Sequence, residues 1–284
     1  MERIDWRRVA EPQSDAYDSR VILSFRPPHT ARPDQNVASK SHSVSVRPIT
    51  HWDPGRFLGL TPDHPNIVAG FDLLKMWRDG FENVEMLLDT IYAALDIQWN
   101  GSSWGCCSGP GPDGFGSVAV TANNAVGFAE GVVHELAHHK LRALGIQVER
   151  ANRLITNVQS EMFRSPIRYD ILRPMAAIVH AQYSYMHVAE LDLKIIENCR
   201  NSELGESVIR FSLFQYLPKL AFGIDIITKN VKTDSAGDAF CSGLVTWCSS
   251  LLARGQQALA LAGLSLQSFT HPLDAPLFAI SDAG

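Results

Sequence analysis

From Phe71 to Leu95 apolar side chains recur at helical spacing: Leu73, Leu74, Trp77, Phe81, Val84, Leu87, Leu88, Ile91 and Leu95. That period is the mark of a helix with one buried face, so the stretch predicts a helix pair or one long helix broken near Gly80. A second helical pattern starts at Asn123 or Asn124, either of which can cap it, and runs to about Leu144, with Gly145 as its stop. A third follows Pro174, which suits a first helical turn, and extends from Met175 to about Arg200. Two or three further helices fit residues 204–229 and 236–263. Strand signals are fewer. SVAVTA (Ser117 to Ala122) reads as a short strand, and VILSF (Val21 to Phe25) as a strand or the first turn of a helix.

The intervening segments lack a period. Residues 26–50 are rich in Pro, Ser, His and Arg and predict a mobile loop or arm. WNGSSWGCCSGPGPDGFGS, residues 99–117, is dense in Gly, Ser and Pro and predicts a long active-site loop that orders over bound substrate. Ile146 to Arg164 fits either a helix or a turn with a short strand, while SPIRYDILRP and the tail after residue 264 read as irregular. The sum is a mainly α protein with a small β-sheet (α+β), a single catalytic domain over residues 1–284.

Composition narrows the function classes. A net charge of −5 and a pI near 6.0 give no basic surface for nucleic acid or anionic lipid. No apolar run approaches the roughly 20 residues of a membrane span. The opening MERIDWRRVAEP is too polar for a signal peptide, so a cytoplasmic location is expected. Five cysteines, two of them adjacent at Cys106 and Cys107, suit reduced thiols better than a disulfide framework. Nothing in the chain sets its oligomeric state.

The chemistry-bearing segment is HELAH, His134 to His138, within the second helical pattern. Histidines at i and i+4 share a helix face, about 5–6 Å apart at Cβ, which suits one small divalent ion. The competing reading is a pair of core histidines. Gly127 and Gly131 precede His134 on its face and would let a strand or substrate come close, which favours the metal. Val126, Ala129, Val132, Val133, Leu136 and Ala137 supply an apolar stripe elsewhere around the helix. A metal needs further ligands. His180 is the leading third one, on a stripe with Arg173, Ala177, Ser184 and His187, placing the metal between the HExxH helix and the long helix after it. Glu149 and Glu161 are weaker alternatives. His187 reads as structural and His139 as a surface or supporting residue. Arg168 and Arg173 either pair with Asp170 and cap carbonyls or fork around a carboxylate.

VVHELAHHKLRALG, then FRSPIRYDILRPMAAIVHAQYSYMHVAELDL, resembles the HExxH-type peptide β-hydroxylases, iron- and 2-oxoglutarate-dependent enzymes of natural-product peptide pathways. The matching residues are Lys140–Leu141 after the motif, Ser165–Pro166–Ile167–Arg168, Arg173–Pro174, and His180 with Tyr183. The resemblance covers residues 115–195. Leu136 and Ala137 inside the motif, one extra residue between Arg168 and Arg173, and Ala181 depart from the family's usual pattern.

The resemblance implies Fe(II) held by His134, His138 and His180, with 2-oxoglutarate as cosubstrate, dioxygen as oxidant, and Arg168 or Arg173 on the far carboxylate of 2-oxoglutarate. Glu135 would then orient a ligand or bind the metal itself, giving the two-histidine, one-carboxylate set. The expected reaction is hydroxylation of an unactivated (β) carbon in a peptide or amino-acid-derived substrate. The alternative is a zinc peptidase, with Zn(II) on the same histidines and Glu135 as general base. SVAVTA would then be an edge strand for an extended substrate. A third possibility is a non-catalytic peptide binder whose metal is structural and fully ligated.

Overall fold

A computed structural model describes residues 44–101, 107–146, 154–168, 170–199 and 202–264. VILSF, most of the 26–50 arm, Glu149 and the tail lie outside the described residues.

The chain enters as β1 (Ser45–Pro48) and β2 (Phe57–Gly59), then α1 (Pro65–Met76) and α2 (Arg78–Leu87). Pro65 occupies the first turn of α1, where no N–H is needed, and the His64 ring accepts the N–H of Asn66. The expected helix pair is present, with the break at Trp77, three residues before Gly80. Gly80 serves that break: a Cβ there would sit 2.3 Å from the Trp77 ring, so the missing side chain lets the indole fold back on α2.

The helical reading fails beyond Leu88. Thr90–Asp96 is β3, the central strand, buried along almost its whole length. Leu88, Ile91 and Leu95 satisfy helical spacing by coincidence, because a continuously apolar strand buried on both faces has no period of its own. β3 pairs in parallel with β1 and antiparallel with β2 on one side, and in parallel with β5 (Ser117–Thr121) on the other. β5 is the predicted SVAVTA strand. It lies inside the sheet, because β4 (Ser108–Pro110) runs antiparallel beyond it and forms the edge. The glycine-rich stretch is therefore part strand, with residues 102–106 outside the described ones.

α3 (Ala125–Ala143) carries the HExxH segment. The Asn124 side chain accepts the Gly127 N–H, and Gly145, at φ 78°, closes the helix in a conformation that disfavours other residues. Ser165 to Arg168 turns between β6 (Met162–Arg164) and β7 (Leu172–Pro174), an antiparallel hairpin that delivers Pro174 as the cap of α4 (Met175–Asn198). α5 (Glu203–Val208) passes through a π-turn at Ile209–Leu213 into α6 (Phe214–Asn230), and α7 (Ser235–Leu261) ends the described chain.

Two large cores result. One joins the sheet to α1, α2 and α3 through residues such as Ile67, Ile91, Val120, Phe128 and Leu136. The other joins α3 and α4 to α6 and α7 through Leu141, Tyr183, Leu217, Phe240 and Leu251. α3 and α4 contribute to both, so their shared seam lies between the two cores. The described helices include none long and apolar enough to cross a membrane.

Candidate metal centre

His134, Glu135 and His138 bring one ligand atom each to within 4.8 Å of one another. Nε2 of His134 and Nε2 of His138 are 3.2 Å apart. Ligands at 2.0–2.1 Å from a tetrahedral metal stand about 3.3 Å apart, so this pair already has the edge length of a coordination shell. Burial holds His134 at a pKa of about 4 and His138 well below the ordinary histidine range, the latter also through His134 and His180. Neutral imidazoles with available lone pairs are what a divalent ion requires. The donor set fits a metal.

The tautomers follow from the partners. Nε2 of His180 lies 2.9 Å from the carbonyl of Ile146, which can only accept, so that nitrogen carries the proton. In a neutral ring, Nδ1 of His180 is then an acceptor, and Nδ1 of His138, 2.9 Å away, is its donor. His138 is left with a bare Nε2 directed at His134. The Ile146–His180–His138 chain thus fixes both the ring orientation and the lone pair of a candidate ligand, a task that groups behind a metal site commonly have. The structure brings His180 to the centre. In this arrangement its ring nitrogens are engaged by His138 and by the Ile146 carbonyl.

Glu135 is buried, and Ser108 of β4 donates to its Oε1 at 2.7 Å. Burial pushes the Glu135 carboxyl up to about 7, with the Ser108 hydrogen bond pulling the other way. The sheet edge and the HExxH helix therefore meet at this carboxyl. On the other flank the Tyr185 ring stands edge-on to His134, with centres 5.2 Å apart.

The remaining predicted residues sit apart. Arg168 is paired with Asp170 at 2.8 Å, both side chains more than 60% exposed, and Arg173 is exposed on β7. Neither has a hydrogen bond or ion pair to the histidines or to Glu135 among the described residues. Glu161 pairs with Lys232 across the β6 surface. His139, expected at the surface or in support of the site, is buried against the sheet, with Nε2 3.2 Å from the Ser117 carbonyl and its ring on Phe115. A helix packed on a sheet has no free flank at that angle. His187 is fully buried: its Nδ1 reaches the Tyr183 carbonyl at 2.8 Å and its Nε2 faces Lys140 Nζ at 3.1 Å. The described cysteines are free thiols.

Two features escaped the sequence. Ser108 was hidden in a serine- and glycine-rich stretch, where nothing marks one hydroxyl. Glu130 had a signal: it precedes His134 by one turn, as His134 precedes His138, and so extends a polar stripe into a helix otherwise apolar there. It is buried, accepts from Ser212 at 2.6 Å and Tyr216 at 3.4 Å, and faces the fully buried Asp192 of α4. The sequence matches no protein-family model and no curated protein.

Proposed function

We propose that the protein is an Fe(II)- and 2-oxoglutarate-dependent oxygenase that hydroxylates an unactivated (β) carbon in a peptide or related amino-acid-derived intermediate. The observation that carries this reading is the set of two half-buried imidazoles and one buried carboxylate on one turn of α3. Two histidines and a carboxylate suit non-haem Fe(II) and leave positions for a cosubstrate and dioxygen. The resemblance over residues 115–195 points the same way. When bound, the iron would supply dioxygen activation, one oxygen atom going to the substrate and the other to succinate as 2-oxoglutarate loses carbon dioxide.

The chain's own residues have separate tasks in this scheme. His134 and His138 hold the metal, with His138 aimed by His180. Glu135, fixed by Ser108, is the carboxylate beside them. Val133, Leu136 and Ala137, all fully buried, keep water away behind the ligands.

A zinc peptidase is the second reading, favoured by two observations. Glu135 is held by Ser108 with its carboxyl near neutrality, suited to taking a proton from an attacking water. β4 lies at the sheet edge next to it, where an extended peptide could add as a further strand.

Anaerobic loading with Fe(II), then 2-oxoglutarate, decides between them. A weak visible absorption band on adding 2-oxoglutarate, lost in His134→Ala, is the expected result, with one added oxygen in a peptide substrate by mass. No band, together with tight Zn(II) binding and peptide cleavage lost in Glu135→Gln, would replace the oxygenase by the peptidase.

A further inference from the structure

Lys219 lies on α6, and its Nζ stands 6.0 Å from the centre of the Tyr185 ring and 5.8 Å from that of Tyr216. The two tyrosine rings meet edge to face at 5.0 Å, and Tyr185 meets His134 in the same way at 5.2 Å. One aromatic wall therefore runs from the metal-ligating His134 to an ammonium group at its far end. Four of the other described lysines have carboxylate partners, Lys75 with Asp72, Lys194 with Glu197, Lys229 with Asp225 and Lys232 with Glu161, while Lys140 faces His187. Lys219 is half-buried, and no carboxylate pairs with it among the described residues. Among the described residues, ring faces alone offset its charge.

A half-buried cation without a counter-ion is costly. Desolvation lowers the Lys219 pKa, and no acidic group acts against it. An arriving carboxylate would relieve that cost. The alternative cations are poorly placed for the task, since Arg168 is already neutralised by Asp170 on an exposed hairpin and Arg173 is exposed. The hairpin nevertheless reaches this end of the molecule: Pro166 packs on Gly223, one turn along α6 from Lys219.

We infer that Lys219 receives a carboxylate of the molecule bound at the His134–His138 centre. On the oxygenase reading, on which this inference rests, that group is the far carboxylate of 2-oxoglutarate. On the peptidase reading it is the C-terminal carboxylate of a peptide. Lys219 acts by binding, while the tyrosine wall sets the distance between metal and carboxylate.

Calorimetric titration of the full chain, loaded anaerobically with Fe(II), tests this with 2-oxoglutarate and with pyruvate, which keeps the keto acid but lacks the far carboxylate. Lys219→Met and Lys219→Gln should weaken 2-oxoglutarate about 10- to 100-fold, the scale of a lost charged hydrogen bond. Both should leave pyruvate unchanged, and Lys219→Arg should retain most of the affinity. Arg168→Ala and Arg173→Ala should bind 2-oxoglutarate as the unaltered protein does. Equal weakening of both ligands, or no weakening of either, overturns the assignment. If the unaltered protein binds no 2-oxoglutarate, the oxygenase reading fails on its own, and the Zn(II)-loaded protein is titrated with one peptide in free-acid and C-amidated forms. A preference for the free acid that disappears in Lys219→Met sustains the role of Lys219, and no preference overturns it.

Discussion

His138 illustrates how much of a candidate metal site lies behind the groups that could hold the ion. A bare imidazole can spin and can carry its proton on either nitrogen. Here His180 and the Ile146 carbonyl remove both freedoms. Replacing His134 should abolish binding of a divalent ion, because it deletes one of two neutral donors 3.2 Å apart. Replacing His180 by Ala should instead weaken binding about 10- to 100-fold, the usual effect of losing an orienting partner. Equilibrium competition against a chelator measures both. Loss in His180→Ala equal to that in His134→Ala would make His180 a ligand, as the sequence alone suggested.

At the scale of elements, the site depends on how α3 is clamped. α1 crosses it at Gly70, where a Cβ would come within 2.5 Å of the Phe128 ring and 3.1 Å of the Ala125 carbonyl. Alanine is the better helix former by about 1 kcal/mol, so propensity alone predicts that Gly70→Ala stabilises. Contact predicts the reverse, since overpacking a tight core costs about 1–3 kcal/mol. The backbone carbonyl cannot move aside as a side chain can. We expect a net loss on the order of 1–2 kcal/mol in urea unfolding, and a gain would show that α1 can shift away from α3. The α4–α7 contact is held differently, by Arg254 forked on Glu190 at 2.6 and 2.9 Å with the Trp247 N–H on the same carboxylate.

The whole molecule has a pH dependence built into the seam between its cores. Glu130 and Asp192 face each other with no cation between them among the described residues, and neither Asp192 oxygen finds a donor. Burial raises both carboxyls, Glu130 to about 7. A raised acid binds more protons folded than unfolded, so its stabilising effect is full below the unfolded value and is lost as pH rises through the folded one. For Glu130 that window runs from 4.5 to about 7. The contribution of this pair to the stability of the metal-free protein should fall across it. His134 and His138 contribute in the opposite direction, since their lowered values stabilise as pH rises toward 6.5. Asp192→Asn, which keeps the shape and can donate to Glu130, leaves the histidines in place. The denaturation midpoint of the variant minus that of the unaltered protein should therefore grow across this window and be positive at pH 8. A difference between the two proteins that does not change with pH would mean the pair is not protonated.

Much of this was legible along the chain. The caps and stops of α3, the start of α4 at Pro174, and the shared face of His134 and His138 follow from local rules, since a helix fixes the relation of residues four apart wherever it lies. The same locality explains the failures. A strand buried on both faces carries no period, so Thr90–Asp96 merged with the helix before it. Arg168 and Arg173 drew attention by their charge, yet charge does not say which way a hairpin turns. Glu135 met Ser108, His138 met His180, and Lys219 reached the wall beside His134 across separations of 27, 42 and 85 residues. The sequence determined which groups could do chemistry and which helix presents them. The packing of α3 between two cores decided which of those groups meet, because contacts between distant segments depend on how whole faces bury.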